Sequence, residues 1–250
     1  MGSIPTASTI YIHIHRQDRH AFLIAHEPAA VLFDFGGTLD ADGLAWKERV
    51  YRLFLEAGAP VARDRFDPSF YKADDALVGA IPPTTSFEET VARLTAGVAE
   101  ALGLADHTIA AAVARRFVGD SLANIAGNVP LLRELARRYR LGVVSNFYGN
   151  LARVCDDAGI QSFFQVLVDS TEAGCSKPDP RIFQRALTAL GVPASAATFV
   201  GDSLPRDMAG ARGAGMRHIW LAGAEPSAGG PCCRGDRQIR SFRELEAILL

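Results

Sequence analysis

Five short apolar runs, each ending at a polar residue or a glycine, constrain the fold of this chain most. Segments with helical periodicity separate the later runs. Strands that are apolar along their whole length and alternate with helices are typical of a parallel sheet covered on both faces. The sequence therefore predicts an α/β fold, and the predicted strands are residues 29–35, 141–146, 163–170, 197–203 and 217–223.

Turn and cap residues predict where the helices between these strands begin and end. Pro130 predicts the start of a helix, because proline is favoured in the first helical turn. Gly159 and Gly191 predict the ends of two further helices. Ser241 and Glu244 have the spacing of a capping box and predict a closing amphipathic helix.

The roughly one hundred residues between the first two strands are too many for a single crossover. They carry helical apolar stripes, one of which starts at Trp46, and a second capping box at Ser86 and Glu89. Three or four helices cannot all cover the sheet. The sequence therefore predicts an inserted, all-helical cap.

Three parts follow from this interpretation. Residues 1–29 are predicted to be an N-terminal extension, residues 30–43 and 127–250 the catalytic core, and residues 44–126 the cap. We expect the cap to move over the core, with glycine hinges near residues 42–43 and 127–128.

Composition predicts an ordinary globular protein with a real core, since 48% of residues are hydrophobic and 22% are charged. The net charge of −2 gives no sign of a nucleic-acid or membrane surface. No apolar run approaches the ~18 residues of a membrane-spanning helix. The four cysteines lack metal-site spacing, which favours free thiols. We therefore expect a soluble, cytoplasmic protein without nucleic-acid or membrane partners, either a monomer or a homodimer.

Polar residues follow four of the predicted strands. In open parallel sheets, ligands bind outside the carboxyl ends of the strands, so these side chains are candidate site residues. They are Asp34 and Thr38 after the first strand, Ser145 and Asn146 after the second, Lys177 after the third, and Asp202 and Asp207 after the fourth.

The chemistry of this set is coherent. Three converging carboxylates repel one another unless a cation lies among them, and oxygen ligands without histidine suit Mg²⁺. Hydroxyl, amide and ammonium groups can surround a phosphate-like oxyanion. The predicted phosphate ligands are Thr38, Ser145, Asn146 and Lys177. An aspartate that faces such a phosphorus is suited to act as a nucleophile, which makes Asp34 the candidate.

Each of these residues alone also has a structural explanation as a turn residue or a solvated side chain. Together, in order and each at the expected strand end, they favour a functional site. Four quoted segments carry this order: "DFGGTL", "VVSN", "SKPDPRIF" and "VGDSLPRDMAGARGAGM".

These four segments resemble the motifs of the haloacid dehalogenase superfamily of hydrolases, and the resemblance covers about residues 29–250. It implies a Rossmann-like core with a helical cap of the family's first cap class, placed between motifs one and two. The helical insertion predicted above stands at that place.

The resemblance also implies roles for individual residues. Asp34 would be the nucleophile, and Mg²⁺ would be held by Asp34, the main-chain carbonyl of Gly36 and Asp202. Ser145 and Lys177 would bind the transferred phosphoryl group. Asp207 would support Lys177 or a metal-bound water.

Gly36 departs from the family pattern, because most phosphatases of the family have aspartate there as the general acid and base. Glycine keeps the main-chain carbonyl but removes the acid. Three explanations stay open: a substrate with a good leaving group, which is the simplest, an acid supplied by the cap or the substrate, or little catalysis.

The leading hypothesis is a Mg²⁺-dependent hydrolase of a small phosphorylated metabolite that works through an aspartyl-phosphate on Asp34. A second is a 2-haloacid dehalogenase, favoured by the non-acidic residue at position 36 and weakened by the paired acids Asp202 and Asp207. A third is a catalytically weak protein that binds a phospho-ligand or a partner through its cap.

Overall fold

The computed structural model describes residues 28–224 and 237–250. Almost all of the predicted N-terminal extension (residues 1–29) lies outside the described residues, as do Cys232 and Cys233. Of the remaining cysteines, Cys155 is buried, Cys175 is partly buried, and both are free thiols.

The core of the protein is a six-stranded parallel sheet in the order β3-β2-β1-β4-β5-β6. All five predicted strands are present. Four are shorter than predicted, and the second keeps its six residues but begins and ends one position earlier. The sixth, β6, was not predicted, because its three residues are mostly polar. The strands are β1 (Ala30–Phe33), β2 (Arg140–Ser145), β3 (Val166–Asp169), β4 (Ala197–Gly201), β5 (Arg217–Leu221) and β6 (Arg237–Ile239).

Nine α-helices surround the sheet or form the insertion within the described residues. The four that lie between β1 and β2 confirm the predicted helical insertion. The helices are α1 (Trp46–Glu56), α2 (Arg63–Leu77), α3 (Phe87–Leu102), α4 (His107–Arg138), α5 (Leu151–Asp157), α6 (Ser170–Ala173), α7 (Pro180–Leu190), α8 (Ala209–Gly213) and α9 (Glu246–Leu249).

Both faces of the sheet are buried, as the apolar strands predicted. Successive residues of β1 point to opposite faces: Val31 and Phe33 belong to one apolar core, while Ala30 and Leu32 belong to the other. The first core includes residues of the insertion, and the second is closed by α7. The fold is therefore a layered α/β structure with an inserted helical region.

The register of the central strands places the candidate residues at one edge of the sheet. Phe33 of β1 pairs with Val143 of β2 on one side and with Val200 of β4 on the other. Asp34 therefore leaves the sheet at nearly the same level as the residues that follow Val143 and Val200.

Helix α4 differs from its prediction. It is a single helix of 32 residues that passes through residues 127–128 and contains Pro130 in its interior, so the prediction that Pro130 begins a helix is wrong. The proline removes one backbone donor, but packing of residues such as Leu132 and Leu135 keeps the helix continuous. The boundary between residues 126 and 127 falls inside this helix, and the limits 44–126 for the cap remain a proposal.

The two predicted capping boxes differ. At the C-terminal end, Ser241 and Glu244 form the complete reciprocal box. At α3, the Ser86 hydroxyl accepts a hydrogen bond from the Glu89 amide at 3.1 Å, whereas the Glu89 carboxylate pairs with Arg93 instead. Across the described helices, none is both long enough and apolar enough to cross a membrane.

Candidate active site

An acidic cluster lies at the carboxyl edge of the sheet. One carboxylate oxygen from each of Asp34, Asp202 and Asp207 lies within 4.8 Å of the other two. The main chain of Asp34 is held by a hydrogen bond from its amide to the Val200 carbonyl of β4, at 2.9 Å. The sequence-predicted convergence of these three residues is thus present in the structure.

Lys177 is a buried cation that contacts the acidic cluster directly. Its Nζ lies 2.6 Å from Asp34 Oδ1 and 2.7 Å from Asp207 Oδ1. The lysine is only 4% exposed. Asp207 is fixed in turn, because its Oδ2 accepts a hydrogen bond from the Ser203 amide at 2.9 Å. Lys177 therefore bridges the first and fourth strand ends.

The end of β2 contributes two polar residues with different contacts. The Ser145 hydroxyl donates to Asp34 Oδ1 at 2.8 Å. The Asn146 amide nitrogen donates to the Lys177 carbonyl at 3.1 Å, and its oxygen accepts from the Lys177 amide at 2.7 Å. Asn146 thereby holds the main chain of Lys177 in place.

The turn after Asp34 requires glycine at one of its two glycine positions. Gly37 has φ of +90°, a conformation that favours glycine, and a Cβ there would lie 2.6 Å from Asp202 Oδ2. Thr38 in the same turn is fully buried, and its hydroxyl has no hydrogen-bond partner among the described residues.

Burial and mutual repulsion shape the electrostatics of the cluster. Burial holds the pKa of Asp202 well above its usual range, and the nearby carboxylates of Asp207 and Asp34 raise it further. Burial alone would lower the pKa of Lys177, but Asp207 and Asp34 outweigh it and raise that pKa. Negative charge exceeds positive charge here, so the site favours a further cation.

The donor set fits Mg²⁺. The ligand atoms of Asp34, Asp202 and Asp207 are all hard carboxylate oxygens, and this ion prefers one or two carboxylates together with waters and phosphate oxygens. Lys177 neutralises Asp34 and Asp207 but makes no such contact with the carboxylate of Asp202. Asp202 is therefore the carboxylate for which a bound cation would matter most.

Position 36 is crowded by an aromatic ring. A Cβ on Gly36 would lie 3.0 Å from Nε1 and 3.2 Å from Cδ1 of Trp46, the first residue of α1. The backbone of Gly36, with φ of −75° and ψ of 115°, is open to any residue. The obstacle to a side chain at this position is therefore the indole of Trp46 and not the backbone torsions.

We therefore expect the Gly36→Ala substitution to lower the free energy of unfolding by about 1–2 kcal/mol, because the added methyl group must displace the indole. Urea unfolding measures this. The matched control is Gly119→Ala in α4, where a Cβ meets no atom within 4 Å and alanine should stabilise the exposed helix. Equal or greater stability of Gly36→Ala would show that Trp46 yields without cost.

The two acids that follow in the same loop are already engaged. Asp40 accepts hydrogen bonds from the Gly37 amide at 2.7 Å, Trp46 Nε1 at 2.8 Å and Arg49 at 2.6 Å. It is 1% exposed. Asp42 accepts a hydrogen bond from the Phe242 amide at 2.8 Å. Both carboxylates are held by hydrogen bonds that stabilise the loop, so neither is free to replace an acid at position 36.

A cavity of about 390 Å³ opens beside Asp34, between the core and the insertion. Its core side carries Asp34, Gly36, Ser145, Asn146 and Lys177. Its other lining residues are mostly aromatic or charged and include Trp46, Lys47, Phe70, Tyr71, Asp74, Phe147, Tyr148 and Arg206.

Sequence reasoning missed several of these residues. Asp74 and Tyr148 line the cavity and contact each other, although 74 positions separate them in the chain. Arg49 could have been noticed, because a charged residue three positions after Trp46 lies on the apolar stripe of α1 and needs a buried partner. For Asp74, the sequence carries no comparable signal.

Comparison with known proteins places this site in a family. The family model of haloacid dehalogenase-like hydrolases matches residues 28–215. The chain is 41% identical over 90 residues to the haloacid dehalogenase-like hydrolase domain-containing protein 3 of Bos taurus, covering 36% of each chain. It is 39% identical over 89 residues to a phosphoserine phosphatase of Thermus thermophilus, covering 35% of each. The matches thus span about a third of the length of these curated relatives.

The fold also matches solved structures. The magnesium-bound HAD-hydrolase YfnB of Bacillus subtilis superposes with a TM-score of 0.55 at 22% identity, covering 90% of this chain and 99% of that one. At this identity the likeness shows a shared fold. It extends over the parallel sheet and the helical insertion together.

Proposed function

Because the chain belongs to the haloacid dehalogenase-like hydrolases, with its helical cap inserted between the first and second strands, we propose that it hydrolyses a small phosphorylated metabolite. The observation that carries this proposal is the contact of Lys177 with both Asp34 and Asp207 at the edge of an all-carboxylate cluster. Such an arrangement suits a dianionic phosphoryl group better than a carbon–halogen bond.

In this proposal Asp34 is the nucleophile. The Ser145 hydroxyl and Lys177 both contact Asp34 Oδ1, so Oδ2 is the oxygen free to attack phosphorus. The same two donors lie where they can bind the oxygens of the transferred phosphoryl group. Asn146 positions Lys177. The buried hydroxyl of Thr38, which has no hydrogen-bond partner in the described part of the chain, is a further candidate phosphate ligand.

Asp34, Asp202 and the main-chain carbonyl of Gly36 would hold Mg²⁺, with Asp207 supporting Lys177. When bound, this ion supplies positive charge that offsets the charge of the phosphoryl oxygens. The residues of the chain carry out the other steps. Oδ2 of Asp34 displaces the alcohol to give an aspartyl-phosphate, and water then attacks phosphorus to release phosphate and restore the carboxylate.

We expect turnover of phosphoesters to require Mg²⁺ and to fall to background with a chelator, because Asp202 then loses its counter-charge. A panel of small phosphoesters and 2-haloacids, assayed with Mg²⁺ and with EDTA, measures this through release of phosphate or halide. Added back in excess, Mg²⁺ should restore activity.

Other outcomes of the panel are equally informative. Halide release that survives EDTA would identify a dehalogenase and overturn the proposal. Phosphoester hydrolysis that survives EDTA would leave a hydrolase but exclude the role given to Asp202. No turnover of any compound would favour a binding protein.

A further inference from the structure

We propose that Asp74, on helix α2 of the cap, supplies the proton that Gly36 cannot supply. This inference rests on the proposed function, because it assigns the general acid of the same phosphoryl transfer. In it, the Asp74 carboxyl protonates the leaving oxygen of the substrate. The acid then comes from the helical insertion and not from the loop that carries the nucleophile.

Elimination within the cavity supports this assignment. Apart from Asp34, the one carboxyl group among its described lining residues is that of Asp74. Asp40 and Asp42, the nearest acids in the chain, are held by the hydrogen bonds given above and do not line this cavity. The indole of Trp46 fills the space in which a side chain at position 36 would lie.

A hydrogen bond fixes the orientation of the proposed acid. The Tyr148 hydroxyl donates to Asp74 Oδ1 at 2.5 Å. Because Oδ1 acts as an acceptor, a proton on this carboxyl group resides on Oδ2. Tyr148 follows β2 and also lines the cavity, so the contact ties α2 to the core beside the nucleophile.

The surroundings of Asp74 favour its protonated form. Burial raises the pKa of Asp74, although the hydrogen bond from Tyr148 partly opposes this shift. Asp75 on the same helix acts in the same direction as burial, and Arg206 across the cavity acts against it. A carboxyl group whose pKa is raised keeps its proton to higher pH and is therefore better suited to donate it.

The proton balance is complete. As Oδ2 of Asp34 bonds to phosphorus, the bond to the leaving oxygen breaks, and that oxygen takes the proton from Asp74 to leave as an alcohol. Asp74 is then a carboxylate. When water attacks the aspartyl-phosphate, Asp74 accepts the proton from that water, and both carboxyl groups return to their starting states.

The test compares leaving groups. Nitrophenyl phosphate releases a nitrophenolate, which needs little protonation to leave. Glycerol 2-phosphate releases an alkoxide, which needs a proton to leave. Asp74→Asn keeps an oxygen for Tyr148 but has no acidic proton. We expect kcat/KM for glycerol 2-phosphate to fall ~10²–10⁴-fold and that for nitrophenyl phosphate to fall less than tenfold. The ratio kcat/KM is the readout because it excludes the later attack by water.

Two control variants separate an acid from a structural residue. Asp64→Asn removes an exposed carboxylate that lies in the first turn of the same helix and does not line the cavity, and it should leave kcat/KM for both substrates unchanged. Tyr148→Phe keeps the acid and should cost less than tenfold on glycerol 2-phosphate. Thermal unfolding of each variant checks that it is folded.

The remaining outcomes overturn the inference. Equal losses on the two substrates in folded Asp74→Asn would make Asp74 a binding or structural residue. The leaving group needs no acid if kcat/KM for glycerol 2-phosphate is unchanged in Asp74→Asn. The same conclusion follows if the wild-type protein hydrolyses only nitrophenyl phosphate. If the wild type with Mg²⁺ hydrolyses neither, the proposed function fails as well.

Discussion

Replacing Asp34 by asparagine should reduce phosphoester hydrolysis by at least ~10³-fold, the scale seen when a catalytic nucleophile is removed. Asparagine cannot form the acyl-phosphate bond, and it also removes one of the two carboxylate charges that would hold Mg²⁺. Its amide oxygen can still accept the hydrogen bonds of Ser145 and Lys177, so the local structure should persist.

Two measurements make this prediction specific. Phosphate release gives the rate, and acid quenching with radiolabelled substrate detects the covalent phosphoryl group that only the wild type should carry. Asp156→Asn, which alters an exposed carboxylate on α5, is the control and should retain full activity. Undiminished turnover in a folded Asp34→Asn protein would exclude this residue as nucleophile.

The largest expected effect on stability is at Arg49. Its guanidinium donates to Asp40 at 2.6 Å and to the Ser121 hydroxyl at 2.7 Å, and it stacks 3.8 Å from the ring centre of Phe117. Arg49→Met keeps much of the side-chain volume but leaves Asp40 buried without its cation. We expect the free energy of unfolding to fall by about 3–5 kcal/mol.

The matched control is Arg116→Met, which breaks an exposed pair with Asp120 on α4. That pair should contribute very little to the free energy of unfolding, because solvent screens exposed charges. Urea unfolding of both variants gives the comparison. In the double variant Asp40→Asn with Arg49→Met, part of the loss should be recovered, because no uncompensated charge stays buried. A loss at Arg49 as small as that at Arg116 would contradict the prediction.

The parts of the fold that follow from local pattern were predictable. Continuous apolar runs such as Val143 and Val144 in β2 are explicable only if both faces of the sheet are covered, and both are. The position of Asp34 beside the residues after β4 follows from parallel pairing alone. Strand β6 and the interior position of Pro130 were not predictable, because tertiary packing outweighs local propensity there.

The surroundings of the site were less accessible to sequence reasoning. Gly36 shows that an acid is missing, but nothing in the sequence indicates that Trp46 occupies the space that a side chain at position 36 would fill. The contact between Asp74 and Tyr148 joins two elements whose distance depends on how the insertion folds back. Pairing rules predict which side chains leave the same edge of a sheet, whereas contacts across a cavity require three-dimensional packing.

Because α4 is continuous, a small bend within it would produce a large displacement at its N-terminal end. At 1.5 Å per residue its 32 residues extend about 48 Å, and the part before Pro130 is about 34 Å long. Proline leaves one hydrogen bond of this helix unmade, so bending is easiest there. A bend of about 5° at that point would displace the start of the helix by roughly 3 Å. This displacement is comparable to the length of the hydrogen bond between Asp74 and Tyr148.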